Sequence, residues 1–316
     1  MRKALLASVL LSFAAPGWAL SFGSSANGTS AAEFLQLGVG ARALTMGQAY
    51  TAVADEATAV YWNPAGMTQI QNHSVALMHS AYIASSFFDY GAYAQNLGKY
   101  GAFGTGYQYF SAGSITQTDA SAANVGSFTP YDLAATLAYA YKFGDSGPAL
   151  LNGFSLGLGL KFIHSSIVSS ARTEAADVGV LSPAYLGDKL KLAFDVSNMG
   201  AALKFDQRSE DLPLTFKAGS SYKIMPQWLA SLDVAVPSGA APWVGLGTEY
   251  QVVTAGAWSF AGRAGFNSQT FNNGIPGFAS VSFGVGFGYR GARFDYGFVP
   301  FGDLGQAQIG SLSYNF

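Results

Sequence analysis

From His73 onward, apolar and polar residues alternate with a period of two, in runs roughly 9 to 14 residues long. In 154–162, Phe154, Leu156, Leu158, Leu160 and Phe162 oppose Ser155, Gly157, Gly159 and Lys161. In 189–197, Leu190, Leu192, Phe194 and Val196 oppose Lys189, Lys191, Ala193, Asp195 and Ser197. Leu133, Leu137, Tyr139, Tyr141 and Phe143 likewise oppose Asp132, Thr136 and Lys142, and Phe294, Tyr296 and Phe298 oppose Arg293 and Asp295. Side chains alternate across a strand, so each run predicts a strand with one apolar face. A soluble sandwich would turn that face inward and show water a charged one. Here the second face is rich in Gly, Ala and Ser and poor in charge. The inverted arrangement fits, with the apolar face to lipid and the polar face to a lumen.

About fourteen such runs are counted, near 73–83, 86–97, 100–110, 130–143, 153–166, 173–184, 189–198, 213–223, 227–236, 242–252, 256–266, 279–290, 291–299 and 306–316. Their connections alternate in length. Leu97-Gly98-Lys99, Leu186-Gly187-Asp188, Met225-Pro226 and Arg290-Gly291 are tight, with 144–152 the exception, whereas 111–129, 199–212 and 267–278 all fall in the other set. Short periplasmic turns and longer outer loops are the layout of outer-membrane barrels. An open edge would leave unpaired N–H and C=O groups in hydrocarbon, so the sheet must close. The reading is an all-β fold, a transmembrane antiparallel up-and-down β-barrel of about 14 strands, with both ends returned to the periplasm. Tyr107, Tyr109 and Phe110, then Tyr139, Tyr141 and Phe143, then Trp228, Trp243 and Tyr250, gather near run ends, where aromatic rings meet headgroups. The last run ends on Phe316, which resembles the signal that outer-membrane insertion machinery reads.

Composition narrows the class. Charged residues are 11%, against about 25% in soluble domains. Hydrophobic residues reach 50% and aromatics 15%, yet no window beyond the leader holds the ~18 unbroken apolar residues of a membrane helix. A net charge of −2 argues against nucleic acid as a partner. With no Cys there is no disulfide or thiol chemistry. Met1-Arg2-Lys3, an apolar run from Ala4 to Ala15, and Gly17 and Ala19 before a cleavage point form a secretory signal peptide at 1–19. The expected destination is the outer membrane of a Gram-negative bacterium, as a multi-pass protein in contact with its lipid.

One long stretch escapes the alternation. Gly38 to Ile70 is rich in Ala and Gly, carries Arg42, Asp55 and Glu56, and closes on Asn63-Pro64-Ala65-Gly66. A fourteen-stranded barrel is wider than one filled by its own side chains and narrower than an open porin, so some forty residues suffice to occlude it. Residues 20–72 are therefore expected to form a lumenal hatch and 73–316 the barrel. Pro64 fixes its own φ and biases Asn63 toward an extended or turn conformation. Asn63 can pin the segment to the wall or merely cap a turn. Arg42 has two readings: an ion pair with a lumenal carboxylate such as Asp55, Glu56, Asp195 or Glu249, or a contact to a ligand carboxylate.

Ala41-Arg42-Ala43-Leu44, Met46 to Asp55 and Ala59 to Met67 together resemble the N-terminal signature of the PorV/PorQ family, itself similar to FadL-type outer-membrane transporters. Asp195-Val196-Ser197-Asn198-Met199-Gly200, Leu212-Pro213-Leu214 and Lys217 to Tyr222 are similar to the middle of those proteins. Gln48 departs from the pattern, standing where Gly is usual. The resemblance implies a fourteen-stranded barrel with a hatch, in which Arg42, Asp55, Asn63, Pro64, Ala65 and Gly66 contribute to gating or ligand contact. It leaves two functions open. One is passive transport of a hydrophobic small molecule, of the fatty acid or aromatic hydrocarbon class. The other is a part in protein secretion, with secreted proteins as partners.

Enzyme chemistry finds little support. The three His are His73, His79 and His164. His164-Ser165-Ser166 lacks a nucleophile motif around it. Gly38-Val39-Gly40 lacks the rest of a phosphate or dinucleotide loop. No cofactor, metal or catalytic residue is expected.

Overall fold

The computed structural model describes residue 23 and residues 28–82, 85–144, 147–206, 208–254, 256–269, 277–300 and 305–316. The leader expected at 1–19 lies outside them. Among the described residues eighteen strands follow one another, beginning with β1 (His73–Ala81), β2 (Phe87–Asn96), β3 (Ala102–Ser111), β4 (Ile115–Thr118), β5 (Asn124–Phe128) and β6 (Tyr131–Lys142). Next come β7 (Ser155–Ser166), β8 (Ser170–Leu181), β9 (Leu190–Gly200), β10 (Leu203–Phe205), β11 (Arg208–Glu210) and β12 (Thr215–Met225). The last are β13 (Trp228–Pro237), β14 (Trp243–Val253), β15 (Trp258–Asn267), β16 (Val281–Tyr289), β17 (Ala292–Pro300) and β18 (Gln306–Asn315). Fourteen of them form one closed antiparallel barrel, and β18 seals it against β1 from Ser74–Asn315 to Ala81–Gln308. The other four make two small hairpins, β4–β5 and β10–β11, inside the long loops.

Each of the fourteen expected runs overlaps one barrel strand. The largest shift is at β8, which begins at Ser170 because the ladder with β7 runs on to Ser166–Ser170. The alternation holds: Leu156, Leu158, Leu160 and Phe162 are 37–52% exposed on the outside, and Lys161 between them is 2% exposed. Parity corrects two of the expected interfacial aromatics. Trp243 lies on the same side of β14 as Gly245, Gly247 and Glu249, so it turns into the barrel and is buried. Phe110 shares the side of Gly104, Gly106 and Gln108, and lines an interior cavity.

Residues 28–72, ahead of β1, occupy the lumen. Gly28 donates to the Gly239 carbonyl and Ala31 to that of Asp211, both at the long-loop end. From there the segment descends through a 3-10 turn (Glu33–Gln36), helix α1 (Ala41–Leu44), helix α2 (Ala59–Trp62) and a second 3-10 turn (Pro64–Gln69). It leaves at the short-turn end, where His73 pairs with Phe316. Short helices suit a chain of Ala and Gly interrupted by bends, because four residues complete too few turns to stand without packing. Gln48 adopts φ 62, a left-handed conformation in which Gly is at ease.

Candidate functional site

Small residues on the wall admit the segment. Cβ atoms added at Gly265, Gly157 and Gly179 would overlap the Gly47 nitrogen, the Ala65 nitrogen and the Asn63 Oδ1, respectively. Such close approach is one use of glycine within a strand. At the bottom of the lumen Asn63, fully buried, is extended and caps the turn that Pro64 opens. Its Oδ1 accepts from Ala65 N at 3.0 Å, and its Nδ2 donates to Thr51 O at 3.0 Å and Val180 O at 3.2 Å. Asn63 thus does both things its chemistry allows, capping the turn and pinning it to β8. Pro64, Ala65 and Gly66 are buried beside it, and the Thr68 hydroxyl lies 2.8 Å from that of Ser155. Replacing Asn63 with Ala leaves buried partners unpaired, at a cost of about 1–3 kcal/mol. We expect amide exchange of residues 63–67 to accelerate about tenfold or more while the barrel strands keep their protection.

Arg42 sits at the centre of an ionic cluster. Its Nε and Nη2 each lie 2.8 Å from a Glu249 oxygen, a bidentate pair, and its Nη1 lies 2.6 Å from Asp55 and 2.9 Å from the Tyr50 hydroxyl. Arg263 reaches Glu249 at 2.6 Å and Asp295 at 2.7 Å. Arg293 holds Asp295 at 2.8 Å and also pairs with Glu56. Three guanidinium groups and four carboxylates thus tie α1 and residues 55–56 to β14, β15 and β17. Of the four partners considered for Arg42, Asp55 and Glu249 bind it directly and Glu56 approaches to 4.0 Å. Asp195 belongs to another group, in which Lys161 contacts Asp177 at 2.9 Å and Asn198 at 2.7 Å, while Lys217 lies over Tyr61 and Trp62.

Asp233 was not singled out by the sequence reading. Its Oδ2 accepts from Tyr50 N at 3.0 Å, Thr51 N at 2.9 Å and Thr51 Oγ1 at 2.6 Å, a three-pronged anchor from β13. Arg263 was missed as well. Both carry a charge in mid-strand on the inward face, and charges at that depth rarely lack a partner or a role. His164 and Ser165 face opposite sides of the wall, for Tyr131 and Arg172 contact the histidine outside while Ser165 bonds Asp132 inside. They therefore form no nucleophile–base pair.

Two cavities lie above the segment at the long-loop end. The larger, about 1030 Å³, is lined by Phe34, Leu37, Tyr82, Phe110, Ile167 and Phe205, with Glu33, Asp132, Asp206 and Glu210 among its polar groups. The smaller, about 570 Å³, shares Glu33, Leu37 and Tyr82 and continues over Leu44, Val281 and Ile309. Cavities of roughly 300–1,000 Å³ with mostly apolar walls accommodate small organic ligands. Burial pushes the Tyr82 phenol up to about 12, against the pull of a Ser80 hydrogen bond, so it stays neutral at physiological pH. Among the described lining residues of the larger cavity there is no Lys or Arg.

Comparison with known proteins follows the same architecture. The sequence model of an uncharacterised protein family, UPF0164, matches residues 12–179. No curated protein matches the chain. Among solved structures, the Pseudomonas putida toluene transporter TodX is similar at a TM-score of 0.57 and 11% identity, over 88% of this chain and 98% of that one. The CymD monoaromatic hydrocarbon channel gives 0.55 and 13%, over 88% and 98%. A Pseudomonas aeruginosa FadL homologue gives 0.54 and 12%, over 87% and 97%. At such identities the likeness is one of fold: a closed fourteen-stranded barrel of the FadL type.

Proposed function

This chain belongs to the uncharacterised protein family UPF0164, and we propose that within it the chain is an outer-membrane transporter admitting uncharged hydrophobic small molecules. The observation that carries this reading is the larger cavity, which lies at the mouth of the barrel and takes part of its lining from Phe34 and Leu37 of the lumenal segment. A ligand entering between the long loops meets apolar walls first and the segment next. Residues 28–72 serve as the hatch, with Arg42, Asp55 and Asn63 holding it shut. The long loops face outward and the short turns the periplasm, with the Phe316 end presented to the insertion machinery. The four carboxylates among the described lining residues of the larger cavity disfavour a fatty acid anion, because like charges repel most strongly where water is scarce. An aromatic hydrocarbon, the class for which the toluene transporter TodX and the monoaromatic hydrocarbon channel CymD are named, fits better.

The test is a deletion strain grown on a panel of neutral and acidic hydrophobic carbon sources, with its secreted proteins measured in parallel. We expect slower growth on the neutral compounds alone. Unchanged growth with lost secretion would contradict the reading and favour the secretion alternative. Phe205, in β10 within a loop, contributes to the cavity without supporting the barrel ladder. Phe205→Asp adds a charge there, and initial uptake should fall about tenfold or more, read against a wild-type strain of equal expression.

A further inference from the structure

The two rims of the barrel carry opposite charge. At the short-turn end stand Lys99, Lys142, Lys189, Lys191, Lys223 and Arg290, all but Lys191 exposed. Among the described residues of those turns and strand ends the opposing acid is Asp188; Asp145, in the turn between β6 and β7, lies outside them. The long-loop end instead holds exposed Glu33, Asp119, Asp206, Glu210 and Asp211. Among the described residues, Arg172 and Lys204 are counterparts there. Lys142, Lys191 and Lys223 fall on the lumenal parity of β6, β9 and β12 and lie near one another, with Lys191 bonded to Gln69 of the segment. The bases carried by the turns themselves are Lys99, Lys189 and Arg290, in β2–β3, β8–β9 and β16–β17, at three separate places around the rim.

Two of these bases sit on exposed aromatic rings. Lys99 Nζ is 5.0 Å from the Tyr100 ring centroid, and the Arg290 guanidinium carbon is 5.2 Å from that of Tyr289. Around the same rim Tyr222, Trp228, Tyr250, Trp258 and Tyr314 are exposed on the outer face. Aromatic rings of this kind settle at headgroup level, which puts the bases beside them within reach of lipid phosphates. We infer that the short-turn rim is a collar for anionic phospholipid headgroups, drawing acidic lipids to one leaflet around the barrel. Lys and Arg near an anionic surface each add to the attraction, and the effect dies away within a Debye length. The collar goes beyond transport and rests only on the barrel's lying in a bilayer with this rim at one interface.

The experiment uses the full-length barrel in phosphatidylcholine vesicles doped with brominated phosphatidylglycerol or, separately, brominated phosphatidylcholine. Bromine quenches nearby tryptophan; Trp228 and Trp258 stand at this rim, whereas Trp62 and Trp243 are buried within the barrel. Quenching by either lipid reports that the barrel is in the bilayer, and the ratio between the two reports the collar. We expect phosphatidylglycerol to be favoured about tenfold in 50 mM salt. The preference should shrink toward unity in about 1 M salt and in a Lys99→Gln/Lys189→Gln/Arg290→Gln variant. Equal quenching by the two lipids in the wild type, or a preference untouched by salt and by the variant, would overturn the collar. Absence of quenching by both would instead remove the bilayer placement beneath it.

Discussion

Replacing Arg42 with Ala frees the lumenal segment while the fourteen strands stay closed. The substitution strips Glu249 and Asp55 of a buried guanidinium and leaves Arg263 as the base still paired with Glu249. Breaking a buried ion pair from one side costs about 3–5 kcal/mol, because the remaining charge keeps its desolvation penalty. At 1.4 kcal/mol per tenfold, the undocked fraction rises at least about a hundredfold. Limited proteolysis within residues 28–70 should accelerate accordingly, since cleavage tracks the open population when closing is fast. The heat-dependent gel shift of the closed barrel should stay as in the wild type. Arg42→Lys should fall between the two, as an ammonium cannot reproduce the bidentate contact with Glu249. Unaltered proteolysis in Arg42→Ala would mean that the ionic cluster does not hold the segment.

The second large effect comes from the wall. Gly265→Val places a branched side chain where the Gly47 backbone lies, and no flexible atom stands between them. Overpacking costs about 1–3 kcal/mol when neighbours can adjust, and a backbone neighbour puts this site at or above the upper end. Gly262, three residues away on the same strand, faces outward with open space around it. Gly262→Val should leave the segment docked, whereas Gly265→Val should expose residues 45–50 to protease and to amide exchange. The pair separates loss of lumenal space from loss of strand flexibility, since both variants remove a glycine from β15. Equal behaviour of the two would contradict the packing account.

These contacts also show where sequence reasoning reached and where it stopped. Alternation identified every barrel strand because one apolar face and one small or polar face leave a period-two signal. It also separated Leu158 outside from Lys161 inside, and by the same parity Trp243 could have been assigned to the lumen. Asn63-Pro64 was legible as a turn because both residues act locally. Arg42 was legible as a paired cation, but its choice of Glu249 over Asp195 was not. Periodicity tells which face a carboxylate is on, not which strands meet across a lumen. Asp233 had no local signature, for its three donors come from residues more than 180 positions away in the chain. The hairpins β4–β5 and β10–β11 stayed hidden because short, mostly exposed strands carry little amphipathic contrast.

Transport of uncharged hydrophobic molecules is tested most directly by the initial rate of labelled toluene uptake in cells with and without this chain, with labelled octanoate as the anionic comparison. We expect saturable, chain-dependent entry of toluene, with octanoate at the rate of cells lacking the chain. Toluene entering equally fast in both strains would contradict the account.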